Sequence, residues 1–135
     1  MISGTGTTTL TTAARNLFAE ANFATRTKAG SYIGYNTGTN QITFSHVGTR
    51  YVEVIFAGAV GASTASQTIT LTLLNSGATV NTARTFSTGT ASNPRQVSLS
   101  GIFSVTSTST VQINYAGGTN CYVGNGSSVI VRFVQ

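Results

Sequence analysis

The chain has 135 residues, of which seven are Lys or Arg, two are Glu, one is His, one is Cys and none is Asp. Charged residues make up 7% of it, against about a quarter of an average globular protein. Enzyme chemistry usually needs clusters of carboxylates, His or Cys. The composition therefore argues against an enzyme, and it predicts a structural protein with no catalytic residues, no cofactor and no metal.

The basic charge balance does not by itself predict a nucleic-acid partner. The net charge is +5, but the cations are scattered along the chain, whereas nucleic-acid-binding proteins usually cluster them. A chain with few acidic residues has a basic net charge even when its cations have no special role. Weak binding to an anionic partner, such as an acidic protein surface, is the alternative explanation. No apolar run approaches the about 18 residues of a membrane span, so no membrane partner is predicted.

The first thirty residues differ in pattern from the rest, which divides the chain into an N-terminal arm, residues 1–30, and a β-domain, residues 31–135. Apolar residues in 11–24 are spaced near a helical period, and Thr12 would cap such a helix. A first strand through residues 17–23 fits the same segment, so both alternatives stay open.

The rest of the chain reads as strands separated by Gly, Asn and Ser turns. Apolar residues alternate with Thr, Ser, Gln or Asn, as expected for strands with one buried face. These stretches are residues 32–35, 41–44, 49–60, 68–74, 97–105, 111–115 and 128–135. Short strands at this spacing predict an all-β, antiparallel sandwich.

The last stretch is largely apolar on both sides. Val129, Val131 and Phe133 form one face of the predicted strand, while Ile130, Arg132 and Val134 lie on the other. A strand with two apolar faces is either covered on both sides or lies at an interface.

The few residues able to support catalysis do not form a recognisable site. His46 and Cys121 would make a Cys–His pair, with Glu20 or Glu53 as the orienting group. A Ser–His–Glu arrangement is the other option, but no nucleophile-elbow sequence surrounds any Ser. Two distant Glu residues do not provide a metal site.

Several segments, read in order, resemble the trimeric jelly rolls of the tumour-necrosis-factor and complement type. The resemblance covers residues 30–135 and rests on a turn and short strand, a Gly-to-Tyr segment opening a long strand, two further strand segments and a closing strand. These are Tyr35–Phe44, Val47–Tyr51, Gln67–Gly77, Val97–Ile113 and Ser127–Phe133.

The resemblance implies a jelly-roll sandwich that forms a homotrimer. It also implies that residues on the second faces of the strands lie at the trimer interface. We expect these to be Tyr51, Ile55, Tyr115, Tyr122, Ile130 and Val134. Calcium and receptor sites in some relatives use Asp clusters, and no such site carries over to a chain without Asp.

Bacteriophage members of this family are also rich in Thr, Ser, Gly and Asn, and they serve as head fibres, capsid decorations or fibre tips. We therefore expect a virion structural protein, a capsid decoration or head-fibre trimer on the outer surface of the particle. Its arm would contact the major capsid protein through Arg15, Arg26 and Lys28.

Two alternatives stay open. One is the receptor-binding tip of a tail fibre or spike, which would recognise host surface glycans through the loops at residues 62–67 and 116–126. Tyr32, Tyr35, Tyr115 and Tyr122 are the candidates for an exposed binding surface. The other is a small jelly-roll shell protein, against which the weakly basic arm argues.

Overall fold

A computed structural model describes residues 2–3, 8–9, 15–19, 25–26, 30–62, 67–87, 89–90, 94–117, 121–123 and 127–134. Apart from a short 3-10 helix at Leu17–Ala19, the regular structure of these residues is β-strand. The strands are β1 (Ile2–Ser3), β2 (Thr8–Thr9), β3 (Arg15–Asn16), β4 (Thr25–Arg26), β5 (Ile33–Asn36), β6 (Gln41–Phe44), β7 (Arg50–Ala62), β8 (Thr68–Asn75), β9 (Ala78–Ser87), β10 (Gly89–Thr90), β11 (Arg95–Val105), β12 (Thr110–Gly117), β13 (Cys121–Val123) and β14 (Ser128–Val134). The prediction of an all-β fold is confirmed.

Eight of these strands form a sheet, sheet A, organised around β7. β14 pairs antiparallel with residues 51–57 of β7, and β13 pairs with residues 60–62 along the same edge. β11 pairs antiparallel with residues 50–60 along the opposite edge, followed there by β10 in parallel. β1 and β4 lie beyond β14, and β2 lies beyond β13.

The remaining six described strands form sheet B, in the order β5–β6–β12–β8–β9, with β3 paired to β12. All its pairings are antiparallel. In β8 the residues Ile69, Leu71 and Leu73 are buried, while the Thr residues between them lie at less buried positions. This alternation is what a strand with one buried and one solvated face requires.

The inner faces of the two sheets share one hydrophobic core. Sheet A contributes Val52, Val54 and Phe56 from alternate positions of β7, each at most 1% exposed. Sheet B contributes the apolar residues of β6, β8 and β12. The antiparallel, sandwich-like arrangement expected from the strand pattern is therefore present.

The N-terminal segment takes part in both sheets. Leu17 and Phe18 are buried in the core, and the amide of Phe18 donates to Asn16 Oδ1 at 2.9 Å. Residues 15–16 are strand and residues 17–19 are 3-10 helix. The predicted alternatives, a helix in 11–24 or a strand over 17–23, otherwise fall on residues 11–14 and 20–24, which lie outside the described part of the chain.

The hairpin between β8 and β9 turns through two residues with positive φ. Ser76 has φ 50° and Gly77 has φ 83°, and Asn75 pairs with Ala78 across the turn. Positive φ at both central residues is the pattern of a type I′ turn, whose twist matches that of the flanking strands.

Replacing Gly77 by Ala should lower the free energy of unfolding by about 1–2 kcal/mol, the cost of left-handed backbone for a residue with a Cβ. The cause is the backbone alone, because a Cβ at this position meets no atom within 4 Å. Urea denaturation measures the loss. Gly38→Ala is the control, since Gly38 lies in an exposed turn without positive φ; equal losses in the two variants would contradict the explanation.

Candidate interaction surface

The side of sheet A that faces away from the core carries exposed apolar side chains. Tyr51 is 59% exposed, Ile102 is 58% exposed and Ile130 is 43% exposed. They lie on the adjacent strands β7, β11 and β14. Together with Ile55 and Val134 they form a surface that we call the β7 face.

The strand register makes this surface continuous. Ile55 lies opposite Ile130 on β14, and Tyr51 lies opposite Val134. On the other side of β7, Ser100 faces Ile55 and Ser104 faces Tyr51. Large apolar side chains are thus bordered by small hydroxyl side chains that leave them accessible.

One ion pair crosses the β7 face. Arg132 lies opposite Glu53 on the neighbouring strand, and its Nε and Nη2 atoms both lie 2.6 Å from Glu53 Oε2. Ile102 lies opposite Glu53 on β11. Because the two charges neutralise each other locally, the centre of this surface carries no net charge.

Tyr122 extends the same side of sheet A toward the far end of β7. It pairs with Gly61, and its ring occupies the space that a side chain at Gly61 would take. An aromatic ring lying over a glycine in this way compensates for the missing side chain in the strand.

Four of the six expected interface residues belong to the β7 face: Tyr51, Ile55, Ile130 and Val134. Tyr122 lies on the same side of sheet A, but at the far end of β7. The expectation that Tyr115 lies at an interface is wrong. Tyr115 lies opposite Leu71 on the inner side of sheet B and is 1% exposed. A side chain so deep in the core presents no surface to a partner or a glycan.

Sequence reasoning missed Ile102. Its neighbours Ser100 and Ser104 point the same way, so the outer side of β11 reads as polar. The signal lay in the buried positions on either side, Gly101 and Phe103, which fix Ile102 on the outer face.

The expected capsid-contacting cations do not share one strand or one sheet. The backbone of Arg15 lies in β3 of sheet B, and that of Arg26 lies in β4 of sheet A. Lys28 lies outside the described residues. Their role stays a prediction.

The structure separates the two residues of the hypothetical Cys–His pair. His46 Nε2 lies 3.2 Å from the carbonyl oxygen of Val105, which pairs with the first residue of β7. Cys121 pairs with Ala62, the last residue of β7. Thirteen residues of strand place these sites about 40 Å apart.

The carboxylates expected to orient this Cys–His pair do not complete it either. Glu53 is bound to Arg132, and Glu20 lies outside the described residues. Across the part of the chain that the structure describes, no three His, Cys, Asp or Glu side chains come close enough to hold a metal ion.

Comparison with known proteins gives no family for this chain: no family model matches it, and no curated protein matches it. Within the described ranges, no helix is both long enough and apolar enough to cross a membrane.

Proposed function

We propose that this chain is a structural protein that self-associates through the β7 face into a homotrimer. In this proposal the trimer decorates the outer surface of a virion, as a capsid decoration or head fibre bound to the major capsid protein. The observation that carries it is the exposed apolar surface formed by β7, β11 and β14.

The pairing of eight of the strands supports a jelly-roll topology. A jelly roll is a long hairpin of eight strands wrapped around a core. Its first strand pairs with its eighth, its second with its seventh, its third with its sixth and its fourth with its fifth. Taking β1, β6, β7, β8, β9, β11, β12 and β14 as those strands, the corresponding pairings are β1–β14, β6–β12, β7–β11 and β8–β9. β7–β14 and β8–β12 join these pairs into two sheets.

The chemistry of the β7 face supports burial against another copy. Interface centres are depleted in Lys, Glu and Asp and enriched in aromatic residues, Met and Arg, and charges buried there need a partner. Here Tyr51, Ile102 and Ile130 are exposed, and the charges between them are paired with each other. The resemblance to trimeric jelly rolls is the ground for expecting three copies.

The outer side of sheet B supports a role in an exposed particle component. Gln41 Nε2 donates to Gln112 Oε1 at 2.7 Å, and Gln112 Nε2 donates to Asn114 Oδ1 at 2.8 Å. Amide groups do not titrate, and salt has little charge to screen on such a surface. Its hydrogen bonding therefore stays the same over a wide range of pH and ionic strength.

Neutralising the three N-terminal cations tests the capsid contact. The variant with Arg15, Arg26 and Lys28 each replaced by Gln has a net charge of +2, because three are removed from +5. We expect it to keep the mass of the wild-type assembly and to lose co-sedimentation with capsids stripped of this protein.

A control removes two cations outside the arm, by replacing Arg84 and Arg95 with Gln, and it should bind capsids as the wild type does. Wild-type capsid binding by the Arg15, Arg26 and Lys28 variant would show that these cations do not make the contact. Deletion of residues 1–25 would be a poorer test, since it removes β1, β2, β3 and the buried Leu17 and Phe18.

The two alternatives rest on other parts of the chain than the β7 face. Most of the glycan-binding loops expected at residues 62–67 and 116–126 lies outside the described residues. Nothing in the described strands favours a shell protein.

A further inference from the structure

An arginine lies between two aromatic rings at one end of the sandwich. Arg50 is the first residue of β7. Its Cζ atom lies 5.4 Å from the centre of the Tyr32 ring and 5.5 Å from the centre of the Phe133 ring. Both distances are within the range of cation–π interactions.

The two rings come from segments on either side of the sandwich. Phe133 lies on β14, and its ring centre is 5.1 Å from that of His46 and 6.1 Å from that of Phe44. Tyr32 directly precedes β5, and its carbonyl oxygen accepts a hydrogen bond from the amide of Ser45 at 3.0 Å. The guanidinium of Arg50 therefore contacts one ring from β14 of sheet A and one from the residue that precedes β5 of sheet B.

This cation has no acidic partner among the described residues. Glu53, the one carboxylate side chain in the described ranges, is bound to Arg132. A guanidinium presents its N–H donors in a planar fork that matches a carboxylate. Because Arg50 is exposed, these donors are accessible from solvent.

An open aromatic ring lies beside this cation. Tyr32 is 49% exposed, and its ring centre is 5.4 Å from the guanidinium carbon of Arg50. The site thus combines a cation with an accessible aromatic ring. Small-ligand sites commonly pair apolar walls with a few fixed polar groups.

We propose that Arg50 and Tyr32 form a binding site for a carboxylated sugar. The carboxylate would accept hydrogen bonds from Arg50, and the apolar side of the sugar ring would lie on Tyr32. Acidic peptides are a weaker match. Their recognition generally uses clusters of Arg, whereas Arg50 is a single cation beside the two rings. The site is separate from the β7 face, so it goes beyond the structural role proposed above.

Titration of the wild-type protein with a glucuronic acid oligosaccharide tests the proposal. Amide and aromatic NMR signals of residues 31–33, 47–51 and 133 should shift in a saturable manner, which maps the site without any substitution. Arg50→Gln should weaken binding roughly tenfold to a hundredfold, the range for losing hydrogen bonds to a charged group. Arg50→Lys should bind more weakly than wild type, because an ammonium keeps the charge but lacks the planar fork.

Arg95→Gln is the matched control. It removes the same charge from an exposed position that pairs with Val60, near the opposite end of β7, and it should bind as wild type does. A neutral glucose oligosaccharide of equal length should bind far more weakly than the acidic one.

Four results would overturn the proposal: no binding of the acidic sugar, equal binding of the neutral one, shifts that map elsewhere, or wild-type affinity in Arg50→Gln. Binding of polyglutamate at Arg50 without binding of the sugar would instead assign the site to an acidic protein segment. Self-association is measured independently as mass, so failure of this site and failure of the trimer are distinguishable.

Discussion

Replacing Gly58 by Ala should destabilise the protein by roughly 3 kcal/mol, at the upper end of the usual cost of overpacking a core. Gly58 lies on β7 beside Ser127, directly before β14. A Cβ built at Gly58 would overlap Ser127 Oγ, and it would lie 2.5 Å from Ser127 Cβ and 3.0 Å from Ser127 Cα. The last atom is backbone, so a side-chain rotation cannot relieve the clash.

The position of Ser127 explains why the glycine is needed. Val123 pairs with Val60 and Ser128 pairs with Ala57, so the register shifts by two residues between β13 and β14. At this shift Ser127 is fully buried, and its Oγ accepts a hydrogen bond from the amide of Ala59 at 3.3 Å. A side chain at Gly58 would displace Ser127 and break that hydrogen bond.

Thermal and urea denaturation measure the loss, which should appear as a fall in Tm of about 10 °C for a chain of this size. Gly61→Ala is the matched control on the same strand. The three atoms nearest to a Cβ there all belong to the ring end of Tyr122, a half-exposed side chain, and none of them is backbone. Ser127→Gly should restore part of the stability of Gly58→Ala, and equal losses at Gly58 and Gly61 would refute the explanation.

Replacing Tyr51, Ile102 and Ile130 together with Thr should dissociate the protein into monomers that remain folded. Each position would lose about 1 kcal/mol of apolar burial, and each protomer would therefore lose about 3 kcal/mol. Thr is β-branched and favours strands, so the strands themselves should persist. The loss should appear in the assembly because these side chains are already exposed within one protomer.

Analytical ultracentrifugation gives the mass of this variant, and circular dichroism gives its strand content. Val47→Thr is the control. Among the described residues Val47 is the most exposed large apolar side chain, and it lies outside the β7 face. An unchanged mass of the triple variant would exclude the β7 face as the interface. A change in mass for Val47→Thr would place an interface at the β6–β7 loop.

The strand pattern was readable because burial alternates along the chain with period two. Val52, Val54 and Phe56 point inward as their spacing predicts, and Ile69, Leu71 and Leu73 do the same. Tyr115 shows where the reasoning erred: it follows Val111 and Ile113 at the same spacing, which places it in the core. It was expected at a surface together with other Tyr residues, but its position in the alternation decided its burial.

The features that depend on distant parts of the chain could not be predicted. Sheet order, the buried approach of Ser127 to Gly58, and the stacking of Arg50 between Tyr32 and Phe133 all join segments far apart in sequence. Local spacing carries no information about such contacts. Most of the β7 face could be predicted from the sequence. Along a strand, the residues that alternate with buried core residues must face outward.

Sedimentation equilibrium of the wild-type chain at micromolar concentration tests the central claim most directly. Self-association through the β7 face into a trimer predicts a mass of three times 13.9 kDa, falling toward 13.9 kDa in the Tyr51, Ile102 and Ile130 to Thr variant. A wild-type mass of 13.9 kDa over the whole concentration range would contradict it.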